Sequence, residues 1–203
     1  MRPKEDMEKV LDAALTVFSE FGFKKATVED VAQALHMTKG NLYRYAQGKR
    51  DLYEKTAAFA LTRWQDQVAT AVAAETGPRQ RFMVLCQSAV RYLATDDRLR
   101  RLLARDPDIF PLFAGNDPYE DINRASVDMI RRVLTEGMAS GDFRAVDAAA
   151  TAEVVFSVYK LLIIRAYIRA EWAEMWAAFN AVLELITKGL YQNPEPREEP
   201  PCP

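Results

Sequence analysis

The chain is poor in the residues that most enzymes build on. It has one histidine, His36, and two cysteines, Cys86 and Cys202. No zinc-ligand set and no Cys–His pair can be assembled from so few groups, and no metal is expected. The cysteines have no paired spacing, which fits a reducing compartment better than a secreted disulfide scaffold. No glycine-rich loop of the phosphate-cradling kind is present, so no cofactor is expected and the chain does not read as an enzyme. Neither charge sign dominates: 27 Lys and Arg face 29 Asp and Glu, a net charge of −2. Any affinity for nucleic acid must therefore be carried by a local patch. Long hydrophobic runs are missing too. The most apolar stretch, residues 154–168, contains Lys160 and Arg165 and is too short to span a bilayer. The opening MRPKEDMEKV is charged, without an apolar signal region. The expectation is a soluble, cytoplasmic protein with no membrane partner.

What is present is helix. Apolar residues make up 49% of the chain. They recur at spacings of three and four, with no alternating β pattern and no internal repeat. Met7, Val10, Leu11, Ala14, Val17, Phe18 and Phe21 form a first stripe. Gly22 is expected to end it, with Phe23 as the apolar contact of the stop. Further helices are expected at about 49–75, 79–94, 97–105, 119–139, 147–170 and 171–191. They are separated by Gly77-Pro78, a Pro- and Gly-bearing stretch at 106–118, and Ser140-Gly141-Asp142. The tail NPEPREEPPCP is Pro-rich and charged and is expected to be disordered over 193–203. The reading is an all-α chain of about nine helices.

Residues 27–49, TVEDVAQALHMTKGNLYRYAQGK, are the most informative. Thr27 is a good N-cap, and Asp30 at the third helical position nearly completes a capping box. Val28, Val31, Ala32 and Leu35 supply an inward face. His36 and Met37 fall in a turn. Thr38 is a second N-cap, after which Leu42 and Ala46 share one inward face. Lys39, Gly40, Asn41, Tyr43, Arg44 and Tyr45 are left outward. From His36 to Arg50 there are four Lys or Arg and no acid. Two capped helices around a short turn, the second basic on its outer face, suit entry into a DNA major groove. Asn41 has the donor–acceptor pair that reads adenine, Lys39 can donate to guanine, and Gly40 permits close approach. A capped amphipathic helix with a merely solvated basic face is the plain alternative.

Residues 10–52 resemble the N-terminal domain of the TetR family of bacterial transcriptional repressors. The matching elements are A-A-L-x-x-F (Ala13–Phe18), Gly22, Thr27, V-A-x-A (Val31–Ala34), T-K-G-N-L-Y (Thr38–Tyr43), Tyr45 and K-x-x-L (Lys49–Leu52). The chain departs from the family pattern at three positions. His36 stands where a turn glycine is usual, Ala46 where an aromatic is usual, and Gly48 where a Ser or Thr cap is usual. The resemblance implies DNA-backbone contacts at Thr27, Thr38, Tyr43, Tyr45 and Lys49. It implies a groove-facing surface at Lys39, Gly40, Asn41 and Tyr43. The implied architecture is a three-helix helix-turn-helix domain over 1–48, with the motif at 27–46. A helical dimerisation and effector-binding domain would follow over 49–192.

Two later segments are too apolar for one partner. Residues 154–168 are apolar on nearly all sides. The last helix carries Trp172, Met175, Trp176, Phe179, Val182, Leu183, Ile186 and Leu190 as a stripe. Together they point to a subunit interface, the alternative being a large monomeric core. The family resemblance implies a homodimer through a four-helix bundle. An effector cavity is implied as well. Its candidates are Phe82, Cys86 and Tyr92; Phe110 and Phe113 in a loop that reads either as a flap or as core packing; Tyr119, Ser126 and Met129; and Phe156, Tyr159 and Lys160. Lys160 or Arg165 would meet an anionic end of the ligand or simply reach the surface. The expected function is a regulator that binds a double-stranded palindromic operator as a homodimer and is released by a small, mainly apolar effector. A ligand-independent DNA-binding dimer, or a helical ligand-binding or adaptor protein whose helix-turn-helix no longer reads DNA, stands beside it.

Overall fold

The computed structural model describes the backbone of residues 3–106, 109, 117–169 and 172–191, and the side chains of these except 3–5, 165–169 and 172–175. Nine helices and no strand occur among the described residues: α1 Pro3–Lys25, α2 Val28–Ala34, α3 Lys39–Leu42, α4 Lys49–Ala73, α5 Pro78–Thr95, α6 Asp97–Arg105, α7 Glu120–Ala139, α8 Ala148–Arg169 and α9 Trp172–Leu190. The expected breakers and caps set most of these limits. Pro78 opens α5 at its first turn, where a missing N–H costs nothing. Asp96 accepts from the Leu99 amide and starts α6. Asp147 accepts from the Ala149 and Ala150 amides at the head of α8.

Gly22 breaks α1 as the sequence suggests: its φ of 74° kinks the chain, and a further short helical piece runs to Lys25. That left-handed conformation costs a glycine nothing. Phe21, expected in the buried stripe, is 44% exposed. Phe23 packs on Tyr53, ring centroids 4.9 Å apart.

Helix α4 organises the molecule. It packs on α1 and α6 at one end and on α5 and α7 further along, while α8 covers α7 and α9 covers α8. The far end is closed by a small aromatic clasp. Phe143, fully buried, stacks on Tyr191 at 5.4 Å and meets Phe82 edge-on at 6.0 Å. Phe82 is therefore core, not cavity wall. Helix α7 approaches this ring closely at Gly137, where any Cβ would overlap the Phe143 side chain. Glycine normally costs a helix interior about 1 kcal/mol relative to alanine, so a free site would gain from the exchange. Here the overlap decides the sign. Gly137→Ala is expected to destabilise the chain by about 2–3 kcal/mol, as overpacking does. A lowered urea midpoint with unchanged slope would show it; an unchanged or raised midpoint would show that the ring yields.

Candidate nucleic-acid interface and effector cavity

The helix-turn-helix of α2 and α3 is built by local hydrogen bonds. Thr27 Oγ1 accepts from the Asp30 amide at 3.1 Å, and Asp30 Oδ2 accepts from the Thr27 amide at 2.8 Å. The capping box is thus complete with Asp in place of Glu. After α2, the His36 amide donates to Gln33 O at 3.0 Å and the Met37 amide to Ala32 O at 2.9 Å. These are the two bonds of a Schellman stop. The motif needs a left-handed residue, and His36 takes that place with φ 53°. An L residue is strained there by about 1 kcal/mol. His36→Gly is accordingly expected to raise the free energy of unfolding by about 1 kcal/mol. Thermal melting checks this, and a lowered melting point would mean that the imidazole does more than occupy the turn.

Thr38 Oγ1 then accepts from the Asn41 amide at 3.2 Å. The regular part of the second helix is shorter than expected, spanning Lys39–Leu42. Beyond it the chain tightens: the Arg44 and Tyr45 amides reach back only three residues, to Asn41 O and Leu42 O. Leu42 and Ala46 are buried. Lys39, Gly40, Asn41, Tyr43 and Arg44 are exposed, as are Thr27 and Thr38, while Tyr45 is half-buried. Two cations are not simply outward. Lys39 pairs with Glu29 of α2, which raises the Lys39 pKa, and sits 5.9 Å from the Tyr43 ring centre. Lys49 is half-buried, donates to Lys24 O at 3.2 Å and lies 4.8 Å from the Phe23 ring. Lys55, which drew no attention in the sequence, donates to Tyr45 O at 3.0 Å and to Asp51 at 2.8 Å, pinning the segment to α4. Its spacing of four from Asp51 was the available signal.

A cavity opens between α4, α5, α7 and α8. Helix α4 contributes Leu61, Trp64, Gln65 and Val68, and α5 contributes Leu85, Cys86 and Ala89. From α7 come Ile122, Asn123, Ser126, Met129 and Ile130, and from α8 Val155, Phe156 and Tyr159. Its volume is about 80 Å³. No charged side chain lines it among the described residues. Its polar groups are neutral: Gln65 Nε2 donates to Ser126 Oγ at 2.8 Å and to Ile122 O at 2.9 Å. Burial pushes the Cys86 thiol up to about 12, so it stays protonated. Five of the expected candidates line this space: Cys86, Ser126, Met129, Phe156 and Tyr159. Tyr92 lies behind Trp64 instead, hydrogen-bonded to Arg63 and Asp96. Tyr119 lines a separate cleft of about 620 Å³ at the foot of α1, with Phe21, Phe23 and Tyr53. Lys160 is half-buried outside the lining; burial lowers its pKa and the charge of Asp117 opposes that. Phe110, Phe113 and the 193–203 tail lie outside the described residues, as do the Arg165, Trp172 and Met175 side chains. The α4 wall was missed because its residues read as ordinary core; Gln65 and Asn123, polar on buried faces, were the signal.

Residues 10–56 match the bacterial regulatory proteins of the tetR family. That segment carries the tetR-family signature. An HTH-type transcriptional repressor of Mycobacterium tuberculosis, Rv1474c, is 31% identical over 126 residues. That match covers 61% of this chain and 64% of the repressor. A TetR-family transcriptional regulator from Pectobacterium atrosepticum superposes with a TM-score of 0.77 at 21% identity, over 95% of this chain and 97% of that one. The transcriptional regulator FadR from Bacillus subtilis, in complex with stearoyl-CoA, gives 0.71 at 19%, over 90% and 98%. At such identities these structures speak for the fold. The match to the family model is confined to the helix-turn-helix and the start of α4.

In this chain the last two helices are not disposed as the α9 stripe suggested. Phe179, Leu183 and Leu190 are buried within the protomer itself. Trp176, Val182 and Ile186 are half-buried on the same core. Among the described side chains of these helices, the large apolar residues turned outward are Val154 and Leu161 of α8, at 62% and 45% exposure, and Leu185 of α9, at 72%.

Proposed function

We propose that this TetR-family protein is a transcriptional regulator, acting as a repressor, that binds a palindromic operator as a homodimer. In this reading residues 1–48 are the reading head and residues 49–192 the dimerisation and effector-binding body. The observation that carries it is the reading head. Two capped helices joined by a Schellman turn leave Gly40, Asn41, Tyr43, Arg44 and the Glu29-paired Lys39 exposed on one surface. That combination of amide, cation and aromatic suits base edges and phosphates together. The outward Val154, Leu161 and Leu185 give α8 and α9 a face for a second copy. Ala177, Ala181, Leu185 and Gly189 repeat every fourth residue on α9 and are all exposed, a surface that lets a helix approach closely.

The effector is a small, uncharged or weakly polar molecule with an apolar body, held in the α4–α5–α7–α8 cavity. Among the described residues no cation lines the cavity, and an anion buried without one would cost several kcal/mol. A fold neighbour in complex with stearoyl-CoA, whose long acyl chain is apolar though its coenzyme A head is anionic, supports the apolar body of the ligand. Ligands of ordinary size need about 300–1,000 Å³, well beyond the present 80 Å³. Such a ligand enters only when the helices part. It therefore prefers a second conformation, which is what release of DNA by a ligand requires. The test is selection of duplexes from a random pool by the purified protein, followed by gel shifts across salt concentrations. A recovered inverted repeat with half-sites about 34–36 Å apart is expected; failure to enrich any sequence would refute the reading.

A further inference from the structure

Arg63 and Trp64 are neighbours on α4, so their side chains leave the helix about 100° apart. Trp64 faces the cavity. Arg63 faces α1, α5 and α6. Its Nη1 donates to Asp12 Oδ1 of α1 at 3.1 Å, its Nη2 to Asp96 Oδ2 at 2.8 Å, and its Nε to the Tyr92 hydroxyl at 3.2 Å. The Tyr92 hydroxyl in turn donates to Asp96 Oδ2 at 2.9 Å. Arg98 of α6 grips the same Asp12 with both terminal nitrogens, each at 2.9 Å, and donates to Thr16 Oγ1 at 3.1 Å. Hydrogen bonding to Arg98 foremost holds the Asp12 carboxyl below its ordinary range. One carboxylate on α1 is thus clasped by guanidiniums from two body helices. Elsewhere α1 meets α4 through apolar contact such as Phe18 on Tyr53, at 5.0 Å, and through the Lys49 bond to Lys24 O at the far end of α1. Apolar contact tolerates sliding, whereas a fork of charged hydrogen bonds has direction.

The cavity touches this cluster through one ring pair. Trp64 stacks on Tyr92 with centroids 6.4 Å apart and planes 17° from parallel. We infer that Asp12, Arg63, Tyr92, Asp96 and Arg98 are positioning residues that set the angle of the reading head on the body, and that Trp64 makes this angle depend on what fills the cavity. The inference rests on the regulator reading above. An occupant that displaces Trp64 moves Tyr92 and turns the α4 segment bearing Arg63. Hydrogen bonds near 3 Å fail with shifts of well under 1 Å, so the grip on Asp12 loosens while the apolar contacts persist.

The test uses a duplex selected by the wild-type protein and an unrelated duplex of equal length. Affinities are measured for wild type, Asp12→Asn, Met129→Trp and the double variant. Met129 lines the cavity, so its replacement by tryptophan acts as a built-in occupant. Each single variant is expected to lose about tenfold on the selected duplex while staying within about twofold on the unrelated one. A reading head that was merely unfolded would lose both. The double variant should bind no more weakly than the weaker single, because both act on one element. Losses that multiply in the double variant, or full affinity in Asp12→Asn, overturn the inference. So does a Met129→Trp protein that binds like wild type, which cuts the link from the cavity while leaving the regulator reading intact. If the pool yields no selected duplex, the regulator reading fails first and the inference falls with it. Should Asp12→Asn not fold, Tyr92→Phe keeps the stacked ring, removes only the hydroxyl, and is expected to lose about threefold with the same non-additivity.

Discussion

Leu185→Glu is expected to yield a folded monomer whose affinity for a two-headed site has dropped about a hundredfold or more, the avidity of a linked second head. Leu185 is 72% exposed in the protomer. Exchanging it should change protomer stability by no more than about 0.5 kcal/mol. In a twofold dimer, however, each new carboxylate is buried against its own copy, and the cost is several kcal/mol. Val154→Glu on α8 should behave alike, since that side chain is 62% exposed. Phe179→Glu is the contrast. Phe179 is buried within the protomer and meets Trp176 edge-on at 5.8 Å. A charge there has no partner and is expected to unfold the chain instead of splitting a dimer. Sedimentation and circular dichroism separate the two outcomes. A Leu185→Glu protein that sediments as wild type would place the subunit contact elsewhere.

This contrast also marks where the sequence stops being legible. Its caps and breakers were local signals, and local signals survive folding. Thr27 with Asp30, Thr38, Gly77-Pro78 and Asp147 each set a boundary within a residue or two of the expected place. The inward set Val31, Ala32, Leu42 and Ala46 was likewise readable from period alone. The side chains around the cavity were legible only in part. Helical period separates apolar from polar faces, but it does not say which apolar neighbour covers which position. Phe82 and Met129 looked alike as apolar residues, yet one is clasped by Phe143 and the other lines the cavity. The same ambiguity set the α9 stripe against a partner subunit when α8 of its own chain covers it. Long-range electrostatics was invisible altogether. Asp12 and Arg98 are 86 residues apart, and nothing in their surroundings in the sequence announces the clasp.

Asn41→Ala is expected to cost about 1–3 kcal/mol on the selected site and to relax preference at a single base position. Asn41 is exposed in the first turn of α3; its amide nitrogen on the backbone serves the Thr38 cap, which leaves the side-chain amide to read. The substitution should leave the cap and the fold unchanged, because the cap bond is made by the backbone. Lys39→Ala should cost less than a freely solvated base-contacting lysine would. Its ammonium is paired with Glu29 before DNA arrives, and that pair must be loosened for it to reach a base edge. Glu29→Gln removes this competition. It should therefore strengthen binding to selected and unrelated duplexes alike, by removing one acidic side chain from a surface that faces phosphate. Lys49→Ala should be mixed. It deletes a cation near the backbone, which lowers the salt slope by up to about one unit. It also removes the tie to Lys24 O and the Phe23 ring, which lowers stability as well. The decisive comparison is between positions. If Asn41→Ala lowers affinity for every sequence equally and changes no base preference, α3 does not lie in the groove, and the exposed face of the motif is a phosphate-contacting or merely solvated surface.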